Sequence, residues 1–121
     1  MVEIAVVLAC GVGAVSRYLV DAAVTRRSRG RFPLGTFVVN VSGSLFLGLV
    51  AGLLARQGLS PDLAVVLAVG FSGGYTTLST WSWETLVLVE DSAWRPALVN
   101  IAGSIAVGLS VAAAGYAVTM L

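Results

Sequence analysis

The sequence contains no histidine and no lysine, one cysteine, and little charge of either sign. Each shortage removes a class of chemistry. Without histidine, the many Ser and Thr hydroxyls have no imidazole base beside them, and a nucleophilic hydrolase cannot be assembled. The lone Cys10 has no internal disulfide partner and, set in an apolar run, reads as a small hydrophobe. Neither cysteines nor carboxylates cluster at the spacing of a zinc or other transition-metal site. No Walker-type glycine loop is present to suggest nucleotide-driven pumping. The seven basic residues are all arginine, and a formal charge of +1 gives no reason to expect nucleic acid as a partner. The chain is therefore not expected to be an enzyme.

Charged residues make up only 11% of the chain and hydrophobic ones 58%; a soluble domain carries roughly 25% charge. The 121 residues read as one all-α transmembrane domain, with spans expected at about 2–24, 34–55, 62–91 and 97–121. Helices are expected because backbone polar groups in lipid must be satisfied within their own segment, and the pattern does not alternate like a barrel strand. No cleavable leader is expected either, since Glu3 replaces a basic n-region and the apolar run that follows is as long as a span.

The third segment, Asp62 to Asp91, is longer than the ~20 residues a spanning helix needs. An interruption near the middle of the membrane is expected. Gly70, Gly73 and Gly74 offer the backbone freedom for it, and five Ser and Thr hydroxyls follow between Tyr75 and Ser82. Non-helical backbone at that depth is tolerated only when it is buried in protein or lines a watery cavity, so the break is a natural ion site.

The stretch Val39–Leu49 is echoed by Val99–Leu109, with Asn, Gly, Ser and Gly recurring in register. This is either an old repeat of a helix pair or two helices that each need small residues for packing. In the second span, Asn40, Gly43, Ser44 and Gly48 share one helical face, which is expected to be covered by a neighbouring helix. Arg17 and Asp21 lie one turn apart and are placed to pair, while Glu84 lies about two turns beyond the break. Arg17 and Glu84 are either interfacial charges or part of a vestibule at a pore mouth. Arg26, Arg27, Arg29, Arg31 and Arg95 fall on one side of the membrane and Arg56 alone on the other, which predicts both termini outside.

Three stretches now gain a further meaning: Gly11-Val12-Gly13-Ala14-Val15-Ser16-Arg17-Tyr18, Gly35-Thr36-Phe37-Val38-Val39-Asn40-Val41-Ser42-Gly43, and the run from Gly70 to Glu84. In order and spacing they resemble the three signatures of the CrcB/Fluc fluoride channels, and the resemblance covers all four spans. It implies an antiparallel dimer of four-helix subunits in the cell membrane, with two narrow fluoride pores and passive export of cytoplasmic fluoride that confers resistance to its toxicity. It also implies a structural sodium ion (Na+) on the two-fold axis, held by backbone carbonyls that correspond to Gly73 and Thr76 here.

The same resemblance draws the fluoride pathway through Asn40, Ser79, Thr80 and Ser104 as donors, with two aromatic rings in the third-helix motif. This chain departs from that pattern. The ring positions hold Leu78 and Trp81, and Asn100 stands where the fourth helix of the family carries a tyrosine. Leucine has no quadrupole with which to face an anion. Together with the arginine bias, which a subunit inserting either way up would lack, this suggests an oppositely inserted paralogous partner beside the homodimer alternative. Two other readings stay open: a small four-helix proton-coupled exporter, and a non-conducting partner subunit. The exporter wants a carboxylate deep in the first span, where this chain has only Glu3 and Asp21 at the two ends.

Overall fold

A computed structural model describes all residues, 1–121, and is helical throughout apart from short connections. Helices α1 (Val2–Thr25) and α2 (Leu34–Ala55) are continuous. The third span, Pro61–Glu90, is divided. It comprises α3 (Pro61–Val65), a π-helical stretch (Val66–Ser72), the single turn α4 (Gly73–Tyr75), a gap at Thr76 and Thr77, and α5 (Leu78–Glu90). Helix α6 (Trp94–Thr119) completes four segments long and apolar enough to cross a membrane.

Local chemistry explains the ends. Ser60 caps α3 by accepting from the Leu63 N–H, with Pro61 at the first helical position. Trp94-Arg95-Pro96, which precede the fourth span expected at about 97–121, form the first turn of α6. A proline tolerates the first turn because the N–H it lacks would have had no intrahelical acceptor. Helices α2 and α5 both end on a left-handed residue, Gln57 (φ 58°) and Ser92 (φ 57°). The following N–H groups reach back to Leu53 and Leu88 at 3.0 and 2.8 Å, closing two Schellman motifs. Ala93 then packs on Leu88 and Ala97, which fixes the turn into α6.

The third-span glycines have a different use from the one expected. None adopts a positive φ, and Gly70, Gly73 and Gly74 are all helical. The break falls after them, at Thr76 (φ −79°, ψ 159°) and Thr77 (φ −146°, ψ 120°), β-branched residues that suit extended backbone. What glycine provides is close approach. A Cβ on Gly74 would meet the backbone of Cys10, and one on Gly13 would lie 2.9 Å from the Tyr75 nitrogen. α1 therefore rests on the first half of the third span at backbone distance.

A second close contact joins α2 to α6. Gly48 lies against the Ala112 backbone, and a Cβ on Gly115 would come within 2.7 Å of the Leu45 carbonyl. The small-residue face of α2 is covered only at its glycines: Gly43 and Gly48 are buried, with Gly43 under Tyr75 and Thr76, whereas Asn40 and Ser44 are half-buried and line a groove. Its echo in α6 has another environment, since Gly103 has only ordinary contacts, none closer than 3.8 Å. Only 19 of 121 residues are buried, so the fold has no soluble-type core and relies on these interhelical seams. Wide apolar faces remain exposed on α1 (Ile4, Leu8, Val15) and on α6 (Leu98, Ile105, Leu109).

Gly74→Val is expected to lower stability by about 1–3 kcal/mol or more, the cost of forcing side-chain atoms into a filled seam. Gly103→Ala is expected to be tolerated, because its Cβ meets only ordinary contacts. Thermal unfolding in detergent, followed by the monodisperse fraction on size exclusion, compares the two.

Candidate ion pathway

The gap in the third span is held open by one side chain. Asn40 Oδ1 accepts the Thr77 N–H at 2.9 Å, and Asn40 Nδ2 donates to the Thr77 carbonyl at 3.0 Å. The amide of Asn40 thus stands in for a neighbouring peptide and satisfies both backbone groups of an extended residue inside the membrane-spanning region. On one side of the gap the last helical bond runs from the Thr76 N–H to the Ser72 carbonyl at 2.9 Å. On the other, Thr77 Oγ1 caps α5 by accepting from the Thr80 N–H at 3.3 Å, and its hydroxyl donates to Thr80 Oγ1 at 3.0 Å.

These bonds release carbonyls. In an unbroken helix the Thr77 N–H would serve Gly73 and the Thr80 N–H would serve Thr76. Both donors go to side chains instead. Gly73 is exposed, and a Cβ placed there would meet nothing within 4 Å. The Thr76 carbonyl receives only the Arg17 guanidinium, at a long 3.5 Å. No group of three or more His, Cys, Asp or Glu residues is placed to hold a metal. Backbone oxygens of this kind suit a hard monovalent cation, and they sit at the negative end of one helical segment while the positive end of α5 begins two residues later.

A groove of about 330 Å³ opens beside the gap. It brings together four of the expected pathway residues, Asn40, Leu78, Trp81 and Ser104, along with Thr76. Ser44, Ser72 and Thr77 also line it; their hydroxyls were visible in the motifs, but nothing local showed that they share this wall. Leu78 is 74% exposed, so the residue in the aromatic position leaves the groove open on that side. Thr80 belongs to a different cavity of about 220 Å³ on the α1 side, with Arg17, Asp21 and Thr36. Ser79 is exposed, its hydroxyl 3.3 Å from that of Thr77.

Asn100 lies behind the groove rather than on it. It is fully buried, and its Nδ2 donates to Thr85 Oγ1 at 2.9 Å. The two echoed asparagines thus both brace the third span, Asn40 at the break and Asn100 on α5. The expected Arg17–Asp21 pair does not form: Arg17 turns to the Thr76 carbonyl, and Asp21 accepts from Thr25 Oγ1 at 3.3 Å. A released carbonyl and a neighbouring hydroxyl outcompete a pairing suggested by spacing alone. The one ion pair in the molecule joins the N-terminal ammonium to Glu3 at 3.1 Å. Glu84 accepts from Thr36 Oγ1 at 2.9 Å and lines a cavity of about 350 Å³ under the first loop, with Ser28, Arg31 and Trp83. This end of the molecule carries the arginine cluster.

Comparison with known proteins gives this geometry a context. Residues 4–116 match the family model described as CrcB-like protein, Camphor Resistance (CrcB). The chain is 42% identical over 115 residues to fluoride-specific ion channel FluC 1 of Leifsonia xyli subsp. xyli, covering 95% of this chain and 84% of the relative. It is 46% identical over 112 residues to fluoride-specific ion channel FluC 2 of Mycobacterium tuberculosis, covering 93% and 86%. Fluoride-specific ion channel FluC of Solibacter usitatus is 43% identical over 104 residues, with 85% of each chain covered.

Because Asn40 satisfies two backbone groups that have no other partner, Asn40→Ala is expected to cost about 1–3 kcal/mol for stranding them. Asn40→Asp keeps an acceptor for the Thr77 N–H but sets a carboxylate oxygen against the Thr77 carbonyl in place of the donor, so it too is expected to lose stability when both variants are compared with wild type by thermal unfolding.

Proposed function

Since the chain belongs to the CrcB/FluC family of fluoride channels, we propose that it is a fluoride-specific channel subunit that lets cytoplasmic fluoride leave the cell passively. The observation that carries this reading is the Asn40-held break, opening onto a groove lined by hydroxyls and an amide. Fluoride is small and tightly hydrated, so a selective path must replace its water with donors at short range. Asn40 spends one amide N–H on Thr77 and keeps a second. The α5 N-terminus adds positive potential on the same side of the gap. Hydrogen fluoride enters neutral and dissociates in the cytoplasm. The negative-inside potential then drives the anion out without another energy source.

The groove is open on one side, and a partner subunit in antiparallel orientation would close it. The exposed apolar faces of α1 and α6 are available to that partner and to lipid. The carbonyls of Gly73 and Thr76 from each of two subunits would hold Na+, whose bound charge strengthens the positive field beside the groove. Their loss of helical donors and the open space at Gly73 fit that role. The arginine-rich loop end is placed in the cytoplasm, with both termini outside the cell membrane. Arg31 and Glu84 then share the cytoplasmic vestibule. Arg17 lies deeper, beside the break.

A second reading is favoured by two features. The bias of arginine to one side suits a fixed orientation, and Leu78 removes one of the aromatic edges from the groove. Both fit a subunit that pairs with a different, oppositely inserted copy and contributes the poorer of two pathways. Fluoride release from liposomes holding this chain alone, read by electrode against chloride release, decides the matter. Rapid, fluoride-selective release is expected if the homomeric assembly conducts, and it rules out an obligatory second partner. Replacing sodium by a large organic cation during purification is expected to lower that release.

A further inference from the structure

The hydroxyls of the groove are not idle. Ser44 donates to the Asn40 carbonyl at 2.8 Å, Ser72 to the Leu67 carbonyl at 3.2 Å, and Thr76 to the Ser72 carbonyl at 2.9 Å. A hydroxyl has a single proton. A side chain that gives it to a carbonyl turns only lone pairs toward the groove, and lone pairs repel an anion. Ser104 has the weakest such commitment, 3.4 Å to Asn100 Oδ1, which makes it the hydroxyl on this wall most easily turned toward a passing ion.

Trp81 bears directly on that hydroxyl. Its indole Nε1–H is shared between Ser104 Oγ and the Asn100 carbonyl, both at 3.2 Å. The ring also belongs to a closed circuit between α5 and α6. Asn100 Nδ2 donates to Thr85 Oγ1 at 2.9 Å, and Thr85 donates to the Trp81 carbonyl at 2.7 Å. The indole N–H occupies a lone pair of Ser104, so the hydroxyl proton is left aimed at Asn100. Turning that proton to the groove would break its bond to Asn100 and disturb the indole bond as well.

Resting on the channel reading above, we propose that Trp81 is a positioning residue, a latch between α5 and α6 that withholds the Ser104 hydroxyl from the anion and so limits the fluoride rate through this wall. Phenylalanine in its place would keep a ring at the groove and lose the N–H. No backbone group is stranded by that change, because the Asn100 carbonyl lies within α6 and keeps its helical bond.

The test compares full-length wild type, Trp81→Phe, Ser104→Ala and the double variant in liposomes, by initial fluoride efflux. Trp81→Phe is expected to raise the rate about two- to tenfold, the range by which one net hydrogen bond shifts a population. Ser104→Ala should lower the rate by a larger factor in the Trp81→Phe background than in wild type. A Trp81→Phe rate equal to or below that of wild type, in protein that stays monodisperse, overturns the latch. So does an equal effect of Ser104→Ala in both backgrounds. A readout independent of transport is the indole N–H resonance of Trp81 in ¹⁵N-tryptophan-labelled protein, assigned by its loss in Trp81→Phe. It is expected to move upfield in Ser104→Ala; an unmoved resonance overturns the latch and leaves the channel reading standing. Absence of fluoride efflux from every variant, with the resonance shift present, removes conduction by this chain alone and with it the role of Trp81 in setting a rate.

Discussion

The structure depends on the reciprocal bond between Asn40 and Thr77. Two backbone groups of an extended residue lie where lipid offers nothing to bind, and a single side-chain amide answers both. From that pairing follow the released carbonyls of Gly73 and Thr76, the fresh start of α5 under its Thr77 cap, and the groove alongside. A continuous helix through the same residues would have consumed those carbonyls and left no helix end within the membrane. The π-helical stretch just before the gap belongs to the same departure, since its wider turn re-aims the residues that lead into the break.

Glycine shows why such a break is only partly legible in a sequence. The excess length of the third apolar run announces that an interruption exists, and the run of Ser and Thr shows roughly where. The residue that breaks is harder to name, because glycine serves both unusual backbone angles and close approach of helices. At Gly70 and Gly74 the second use applies, and it is decided by Val6, Ala9 and Cys10 of α1, far earlier in the chain. Threonines then take up the extended conformation without needing positive φ.

The polar residues follow the same rule. Arg17 and Asp21 have ideal spacing for a pair, yet each finds a partner elsewhere, one of them a carbonyl that is exposed only because the helix breaks. Asn40 and Asn100 sit in nearly identical local sequences and both hydrogen-bond to the third span. One faces the groove and the other is sealed behind Trp81, which the echo alone could not distinguish. What the sequence made legible was the inventory of helices and polar groups. Their assignment to one wall or another required the neighbours.

The break also sets backbone groups of opposite polarity within a few residues of one another. The freed carbonyls of Gly73 and Thr76 carry partial negative charge, and the N-terminus of α5 presents partial positive charge two residues after Thr76. Under the proposed function, a cation at the first would raise the potential felt by an anion near the second. No Arg or Lys side chain lines the groove itself. A lysine or arginine there would bind a small, hard anion tightly and slow its release, whereas a neutral amide N–H such as that of Asn40 holds it more weakly. Arg17, directed to the Thr76 carbonyl from the α1 side, contributes its charge from behind the break.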